Sequence, residues 1–589
     1  MKISANQEQI GSFKQVIEIF KFLDKKIYRN LLILSVSVIF TAFVELFFLS
    51  SLSEFIKYIF ENNLENISSG SFYFFIVIKI NSYLNSFVLS NCSLFIFITL
   101  ITLIFRILTL RIYLFQTAVI GSNLEAKCAE NVLNVPYEDS KNMNISDVIT
   151  EFNHIPRFSS AIVQNGILAL SAFVVVLSII SYIYIYSNAY FLYSFLILSI
   201  IYGLILIFNT KKLNFLSKKI KSNSLIRTSL ISYFVNSYRQ IILSNNNKKV
   251  KQDFFKVVSS LYYQNSSGQF ITLYPKYLIE YLSIITFSMI IIAQILTLGN
   301  EESIKTTAVF LLAILRVLPS LQIIYSFISG LRKQKFIIES LYSFIKIKKG
   351  DYINYEESRN NNFDNYLNNI FSIKINNLSF KYKNSKKDVF TNYSYEFKKG
   401  FVYALKGASG SGKSTLIDLL LNLLQPYSGE VIINNKFKIY SDKQIIYSLR
   451  DKTILIGQND FINGSNLRDF LGLERKYKLS KSLKEKIEFG FKKLNLDNIF
   501  NIQDIDKFIG QNGSKLSGGQ RQRLLILRSF LLEKEIFIFD EVTSALDKNT
   551  QKLALDLLFN HKFKDKKNIV IFSTHSDLVA SYCDEIINI

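Results

Sequence analysis

The glycine-rich segment GASGSGKS at residues 407–414 has the residue types and spacing that a triphosphate-binding loop requires. The apolar run FVYAL precedes it and TLIDLLLNLL follows it, so the pattern predicts a strand, a glycine loop and a helix. Glycines let backbone N–H groups turn toward a phosphate, where a helix N-terminus adds favourable potential. We expect Lys413 to contact the β- and γ-phosphates and Ser414 to ligate Mg²⁺. The predicted loop comprises Gly407, Ala408, Ser409, Gly410, Ser411, Gly412, Lys413, Ser414 and Thr415.

Two further apolar segments end in polar residues that suit the same chemistry. IFIFDE ends in Asp540 and Glu541, and NIVIFSTH ends in His575. Phosphoryl transfer requires positioning and charge stabilisation, so we expect Asp540 to hold Mg²⁺ and Glu541 to orient and polarise the attacking water. A histidine at a strand end is ordinarily a surface residue. Because it follows a phosphate loop and an Asp-Glu pair, His575 is predicted to contact the γ-phosphate.

Two residues in other segments complete the candidate site. Gln458, in ILIGQNDFI, follows a strand pattern and is expected to contact Mg²⁺ and the γ-phosphate. Tyr382, in LSFKYKN, lies upstream of the loop and is predicted to stack on adenine, a face-to-face contact that the loop cannot make. The alternative for Tyr382 is an ordinary strand aromatic. The predicted cofactors are therefore ATP and Mg²⁺.

A long apolar region precedes the elements that carry these residues. The chain has 589 residues, 49% of them hydrophobic, which favours a membrane protein of several domains. A bilayer core about 30 Å thick requires about 20 apolar helical residues. Six windows meet this requirement, at 31–52, 87–110, 167–186, 189–208, 281–298 and 306–328. A shorter apolar segment at 72–80 is predicted to be buried or interfacial, outside the membrane.

The distribution of Lys and Arg indicates the orientation of these spans. The connection 209–270 holds eleven Lys or Arg against one acid, Asp253, whereas the connection 299–305 is GNEESIK. Both termini are therefore predicted to be cytoplasmic. The long inner connections 112–165 and 209–270 are helix-compatible, so we expect the spanning helices to continue into the cytoplasm.

Net charge and cysteine content restrict the function less strongly than the membrane spans do. The formal net charge of +23 is compatible with nucleic-acid binding, with cytoplasmic loops facing anionic lipid, or with base composition alone. Since six spans favour the membrane, no nucleic-acid partner is predicted. Three scattered cysteines, Cys92, Cys128 and Cys583, exclude a disulfide framework or a zinc site.

Ionisable residues interrupt or flank the spans, and a charge at the centre of a membrane helix costs about 2.5–3.5 kcal/mol. One interpretation is a set of ion pairs inside the helix bundle, and the other is a cavity that meets an anionic substrate. Arg106 and Arg316 together favour an acidic or phosphorylated cargo over a cationic drug. The residues concerned are Glu45, Arg106, Arg111, Lys276, Glu280 and Arg316.

Taken in order, the motifs above and LSGGQRQR at 516–523 resemble the nucleotide-binding domain of ATP-binding cassette (ABC) transporters over about 371–589. The six preceding spans resemble the ABC exporter arrangement. The implied fold class is a six-span α-helical transmembrane domain followed by an α/β P-loop NTPase domain. The implied division is a cytoplasmic segment 1–30, a transmembrane domain 31–335, a linker 336–370 and a nucleotide-binding domain 371–589.

In that family the LSGGQ turn closes over ATP held by a second cassette, so each nucleotide lies between two domains. Ser517 and Gly519 suit this, because a small hydroxyl and a bare backbone at a helix start can bind an anion. Asp547 is expected at the contact between the two sites. Since the chain carries one cassette with intact motifs, the resemblance implies a homodimer, with a heterodimer with a related half-transporter as the alternative. The nucleotide-contacting residues of the turn are Ser517, Gly518, Gly519 and Gln520.

The expected cargo rests on shorter likenesses. LAILRVLPSLQIIYS at 312–326 and PKYLIEYLSI at 275–284 resemble segments of bacterial flippases for lipid-linked oligosaccharides. The expectation is an ATP-driven exporter or flippase of the bacterial inner membrane with a lipid-linked or other amphipathic anionic substrate. Peptide or bacteriocin export and multidrug export are the rivals. A soluble ABC ATPase of translation or DNA repair and a nucleotide-gated channel are further alternatives, which the six spans and the intact Glu541 respectively disfavour.

Overall fold

The structure is a computed structural model that divides into two compact units. The first comprises Met1–Val135 and Asn142–Gly350, and the second comprises Pro136–Lys141 and Asp351–Ile589. The second unit therefore includes a short segment from the middle of the helical region, which the sequence did not indicate. The described residues are 12–61, 76, 79–80, 87–141, 143–186, 189–244, 246–298, 300–346, 367, 369–383, 385–440, 443–457, 466–473, 479–510 and 513–589.

The described part of the first unit is helical, and each of the six predicted windows falls within one long helix. We number the spans by these helices: Lys25–Glu61, Phe87–Leu133, Asn165–Tyr186, Ala189–Asn236, Asn247–Leu298 and Asn300–Lys333. The remaining helices are Ser12–Lys21, Ile145–Phe158, the π-helix Ser159–Gln164, Tyr238–Leu243 and Lys335–Ile345.

Four stretches among the described residues are long and apolar enough to cross a membrane: Lys25–Leu52, Cys92–Leu133, Ile145–Ser181 and Leu196–Asn236. The fifth and sixth predicted windows run over 293–313, whose side chains lie outside the description. The second span continues to Leu133 and the fourth to Asn236, well past the predicted ends at 110 and 208. The expectation that helices extend through the inner connections is thus met.

The ionisable residues of the spans differ in their surroundings. The guanidinium Nε of Arg106 on the second span donates to Oε1 of Glu45 on the first at 2.7 Å. Arg111 lies over the ring of Phe115, 5.7 Å from its centre. The side chain of Arg316 lies outside the described residues. The ion-pair interpretation therefore describes Glu45 and Arg106, whereas Lys276 and Glu280 line a cavity that is described below.

The predicted linker 336–370 begins with a helix rather than with extended chain. Lys335–Ile345 buries seven side chains, among them Ile338 and Leu341, in the core of the first unit. The apolar run FIIESLYSFI carries the reason, because apolar residues at helical spacing bury one face of a helix. Of the 72–80 segment, residues 76, 79 and 80 are described, and Ile76 and Ile80 pack against Leu94 and Ile98 of the second span.

The second unit contains two sheets in its described residues. One is antiparallel with the order β2-β1-β4-β5, and the other is parallel with the order β6-β7-β8-β3-β9. The strands are β1 Ser372–Phe380, β2 Phe390–Lys398, β3 Val402–Lys406, β4 Ser428–Ile433, β5 Phe437–Lys438, β6 Thr453–Gly457, β7 Ile536–Asp540, β8 Ile569–Thr574 and β9 Glu585–Asn588.

Helices cover the parallel sheet, so its central strands read as continuous apolar runs. Every residue of β8 is buried, and the rings of Phe539 and Phe572 stack at 4.5 Å between centres on adjacent strands. The helical elements are Tyr137–Ser140, Lys413–Leu420, Lys443–Asp451, Leu467–Phe470, Lys481–Lys493, Ile502–Asp506, Gly518–Leu531, Lys548–Leu557, Leu558–Lys562 and Asp577–Tyr582. This layered α/β architecture confirms the predicted fold of the second unit.

Candidate functional site

Three neighbouring parallel strands bring the predicted catalytic residues together. β3 pairs with β8, and β8 pairs with β7, all in parallel register. Their carboxyl ends lie at one edge of the sheet, which is where ligands bind in open α/β folds. The phosphate loop follows β3, Asp540 ends β7, and His575 follows β8. Residues that are widely separated in sequence thus form one site.

The loop after β3 has a backbone that favours glycine at two positions. Gly412 has φ of 112°, and a Cβ there would lie 2.8 Å from Cγ1 of Val389. At Gly407, a Cβ would lie 2.4 Å from the carbonyl oxygen of Ile589. Both positions therefore exclude a side chain, the first through conformation and contact and the second through close approach of backbone. Gly412 caps the helix Lys413–Leu420, so the loop delivers its N–H groups to a helix start.

Lys413 occupies the centre of this loop. Its ammonium group donates to the carbonyl oxygens of Gly407 at 2.8 Å and Ala408 at 3.1 Å. The Ala408 carbonyl also accepts from the N–H of Ser411 at 3.1 Å, which closes the turn around the exposed Ser409 and Gly410. The Ser411 hydroxyl is buried and has no hydrogen-bond partner among the described residues. A buried, unsatisfied hydroxyl in a loop at a helix start fits an anionic ligand.

Ser414 and Asp540 form the oxygen pair that the sequence assigned to a metal. The Ser414 hydroxyl donates to Oδ2 of Asp540 at 3.0 Å, across the edge between the loop and β7. Both are oxygen donors, the ligand type that Mg²⁺ prefers, and Mg²⁺ in phosphoryl-transfer sites takes few protein ligands because the phosphates supply others. The pair fits a magnesium ion bound together with a nucleotide.

Glu541 and His575 are in direct contact. Nε2 of His575 lies 3.1 Å from Oε1 of Glu541 and 3.2 Å from Nζ of Lys413. One ring nitrogen cannot donate to the carboxylate and accept from the ammonium at once, so the His575 tautomer selects between the two partners. Glu541 has φ of 51°, a left-handed conformation that is costly for a side chain of this kind and is typical of functional sites.

A cavity of about 300 Å³ adjoins this pair, and its polar lining is held by a hydrogen-bond network. Nε2 of Gln551 donates to Thr543 at 3.0 Å and to Ser576 at 3.1 Å, so it ties the segment after β7 to the segment after β8. The sequence analysis did not single out Gln551, because a glutamine within a helix carries no distinctive signal. The cavity is lined by Glu541, Thr543, Ser544, Leu546, Gln551, Thr574, His575 and Ser576.

Tyr382 lies beside the helix that follows the phosphate loop. Its hydroxyl is 2.9 Å from Oγ1 of Thr415, on the first turn of the helix that follows the loop. The ring packs edge-on against Phe380 with 5.1 Å between centres. The hydroxyl is therefore anchored, and the ring is half-buried at the site, a position compatible with stacking on a base.

The segment Pro136–Lys141 contributes an ion pair to the same helix. Nζ of Lys141 lies 2.8 Å from Oδ2 of Asp418, whose carboxylate is buried. Burial raises the pKa of the Asp418 carboxyl, and the Lys141 ammonium opposes that shift. Lys383 contacts the carboxylates of Glu138 and Asp139, at 3.7 Å and 3.1 Å. Sequence reasoning missed all of these contacts, because they join residues far apart in the chain.

The LSGGQ turn is built as a helix start that is separate from the phosphate loop. Oγ of Ser517 accepts from the N–H of Gln520 at 3.2 Å, and the Gln520 side chain accepts from the N–H of Ser517 at 2.9 Å. This capping box begins the helix Gly518–Leu531, with Gly518 and Gly519 in its first turn. Among the described residues, no hydrogen bond or ion pair joins the turn to residues 407–415.

Asp547 also lies at a helix start. It caps Lys548–Leu557 by accepting from the N–H of Thr550 at 3.1 Å and from its hydroxyl at 2.6 Å. Hydrogen bonds from the Thr550 side chain and backbone lower the pKa of Asp547. Gln458 follows β6 directly but lies outside the described residues. The structure therefore assembles Lys413, Ser414, Asp540, Glu541 and His575, and it places Ser517 and Asp547 at two other helix starts of the second unit.

A phosphate loop after a central parallel strand, with an acidic pair on a neighbouring strand, defines a P-loop nucleotide hydrolase. The family described as ABC transporter matches residues 390–544. The chain is 34% identical over 215 residues to the energy-coupling factor transporter ATP-binding protein EcfA1 of Mycoplasmopsis pulmonis. That match covers 36% of this chain and 77% of that protein. The chain belongs to the ABC transporter family.

Two comparisons extend beyond the ATPase domain. The chain is 25% identical over 454 residues to the ATP-dependent lipid A-core flippase 2 of Colwellia psychrerythraea, covering 76% of this chain and 74% of that protein. A bacterial Atm1-family ABC exporter solved with ATP bound superposes with a TM-score of 0.73 at 14% identity, over 96% of this chain and 94% of that chain. The chain thus has the exporter fold, with membrane helices fused to an ATP-binding domain, and it couples ATP hydrolysis to transport.

Proposed function

We propose that two copies of this chain form a homodimeric exporter or flippase in the bacterial inner membrane. The observation that supports this proposal is that the capped LSGGQ turn begins a helix of its own and, among the described residues, makes no hydrogen bond or ion pair with the phosphate loop. A helix start with free N–H groups suits a triphosphate, so we assign it to the nucleotide of a second cassette. Pairing with a related half-transporter is the alternative, and the intact residues at both halves of the site support two identical copies.

We assign the chemistry of each composite site to the following residues. Lys413 would bind the β- and γ-phosphates of a bound nucleotide, and Ser414 and Asp540 would hold Mg²⁺, which would supply positive charge against the phosphates. Glu541 orients and polarises the attacking water, and His575 contacts the γ-phosphate while fixing the Glu541 carboxylate at 3.1 Å. Tyr382 stacks on adenine. Ser517, Gly518, Gly519 and Gln520 of one chain close on the nucleotide of the other, with Asp547 at the contact and Gln458 at the metal.

A mixing experiment tests the composite site. Lys413→Ala and Ser517→Ala homodimers should each fail to trap nucleotide with vanadate. In a mixed dimer, one site receives Lys413 from one chain and Ser517 from the other, so that site is intact. We expect trapping to return only after the two variants are coexpressed. Mixed dimers that remain as inactive as either parent would contradict a site shared between chains. Glu541→Gln should retain ATP binding and lose at least about 100-fold in hydrolysis.

We propose that the cargo is amphipathic, carries an anionic group and is moved outward. The similarity to a protein named as a lipid A-core flippase supports this proposal. Peptide, bacteriocin or multidrug export is the rival. In reconstituted vesicles, lipid-linked oligosaccharide should stimulate ATP hydrolysis more than a peptide of similar mass. In the same vesicles, Arg316→Ala should weaken transport of a lipid pyrophosphate more than basal hydrolysis. Equal losses would indicate a role in folding.

A further inference from the structure

A cavity of about 450 Å³ lies among the fourth, fifth and sixth spans of the first unit, a volume within the range of small-ligand sites. Its lining is graded in polarity along the helices. Lys276 and Glu280 lie at one end of the fifth-span lining, and Ile284 and Phe287 follow further along the same helix. Residue 276 and residue 287 are separated by about 16 Å at 1.5 Å per helical residue. The cavity thus has a charged end and an apolar end.

The charged end carries two opposite charges, the Lys276 ammonium and the Glu280 carboxylate. Among the described residues, neither Lys276 nor Glu280 has an ion-pair partner, and the Lys276 ammonium lies 5.9 Å from the centre of the Tyr277 ring. Both side chains lie at the predicted start of the fifth span. A charge near the membrane interior is costly unless it meets a partner, a ligand or water. The two residues, four apart on one helix face, therefore offer one site for an anion and one for a cation.

Near the charged end, two hydrogen bonds join the sixth span to the fifth, next to a proline in the fifth span. Pro275 has no N–H, so the carbonyl of Ile271 loses its helical donor. The hydroxyl of Tyr325 on the sixth span donates to that carbonyl at 3.1 Å. The amide of Gln322 donates to the neighbouring carbonyl of Thr272 at 3.3 Å. These bonds hold the sixth span against the fifth at the break in the helix.

Gln322 also joins the sixth span to the fourth. Its Oε1 accepts from the hydroxyl of Tyr202 at 3.1 Å, and both residues line the cavity. Gln322 therefore has its donor and its acceptor committed to two other spans. The polar wall is preorganised by these hydrogen bonds, whereas Lys276 and Glu280 make no ion pair within the described part of the chain. This combination is typical of a built site rather than a packing defect.

We infer that this cavity binds an amphiphile whose head group carries a phosphate beside an ammonium and whose apolar chain extends along Ile284, Phe287 and Ile314. Lys276 binds the phosphate and Glu280 binds the ammonium, so the two protein charges and the two ligand charges neutralise each other. The inference rests on the proposed transport function and narrows its cargo. The anionic group proposed above is kept, and a cation beside it is added, because the Glu280 carboxylate offers a partner for an ammonium group.

The test uses the fact that the chain contains no tryptophan. Ile284→Trp places one fluorophore in the cavity. Ile285→Trp is the matched control, since Ile285 lies one residue further on the same helix, is 51% exposed against 55% for Ile284, and does not line the cavity. The probe is a lysophosphatidylethanolamine with a brominated acyl chain, which quenches tryptophan on contact. The full-length protein is titrated in detergent, and Ile323→Trp on the sixth span serves as a second reporter.

We expect saturable quenching of Ile284→Trp at a probe concentration at least about tenfold below that needed for Ile285→Trp. In the Ile284→Trp background, Lys276→Gln and Glu280→Gln should each weaken quenching about tenfold, the loss of one charge-assisted hydrogen bond. A brominated lysophosphatidylglycerol, which has the phosphate and lacks the ammonium, should bind more weakly, and Glu280→Gln should not weaken its binding further. Equal quenching at positions 284 and 285, or equal affinity for both probes, would overturn the inference.

This measurement separates the inference from the proposed function, because quenching requires no ATP hydrolysis. If ATP-driven transport in vesicles is intact while Ile284→Trp and Ile323→Trp are not quenched, the cavity assignment is wrong and the exporter proposal stands. If quenching has the expected pattern and no outward movement of any cargo occurs, the binding site stands and the proposed transport fails.

Discussion

Ser517→Ala separates the structural role of the LSGGQ turn from its proposed role at a nucleotide. The substitution removes the acceptor of the Gln520 N–H, a hydrogen bond of 3.2 Å. Loss of a serine N-cap costs about 1 kcal/mol, within a range of about 0.5–2 kcal/mol. For a unit of roughly 240 residues this lowers the midpoint of thermal unfolding by about 2–4 °C. Most of the protein should therefore stay folded at the assay temperature.

Ser480→Ala is the matched control within the same unit. Ser480 caps Lys481–Lys493 by accepting from the N–H of Leu483, also at 3.2 Å, and like Ser517 it is exposed. Its loss should cost about the same free energy of unfolding. If Ser517 contacts the nucleotide of a second chain, Ser517→Ala should reduce ATP hydrolysis at least about tenfold, and Ser480→Ala should leave it within about twofold. Equal reductions in both variants would refute the composite site.

Three further outcomes follow from the second unit. Gly412→Ala should destabilise the unit by about 2 kcal/mol or more in thermal unfolding, because the left-handed backbone and the contact with Val389 both oppose a Cβ. Asp547→Asn should lower the free energy of unfolding above pH 3.8. This difference from wild type should vanish as the pH falls through the lowered pKa of Asp547 in the folded protein. Burial raises the pKa of the Cys583 thiol to about 12, so little of the reactive thiolate is present at pH 8. In a variant whose other cysteines are replaced, alkylation of Cys583 at pH 8 should therefore be about a thousandfold slower than in the unfolded chain.

The sequence was sufficient for the parts of the site that local pattern determines. The loop 407–415 begins directly after a short apolar strand, and Asp540 and His575 sit at or next to the ends of two others. Parallel strands place such ends together, so the pairing of β3, β8 and β7 follows from the fold class. In the structure Gly412 has a positive φ and the Ser414 hydroxyl donates to Asp540.

Other features depend on contacts that no local pattern encodes. Lys141 and Asp418 are separated by 277 positions, and each is an ordinary charged residue in its own segment. The left-handed conformation of Glu541 is equally hidden, since glutamate carries no preference for positive φ. The apolar spacing of Lys335–Ile345 does indicate a helix. The predicted linker 336–370 nevertheless includes it, because the polar stretch that follows it favours a linker.

The assignment of Pro136–Lys141 to the second unit has a mechanical consequence. This segment joins Phe87–Leu133 to Ile145–Phe158, so it is covalently continuous with two helices of the first unit. Lys141 is paired with Asp418 on the helix that begins at the phosphate loop. Because the Asp418 carboxylate is buried, separating it from Lys141 leaves an uncompensated charge, which is far more costly than breaking an exposed pair. The pair therefore opposes separation of the phosphate-loop helix from Pro136–Lys141, a segment that is continuous in sequence with both helices.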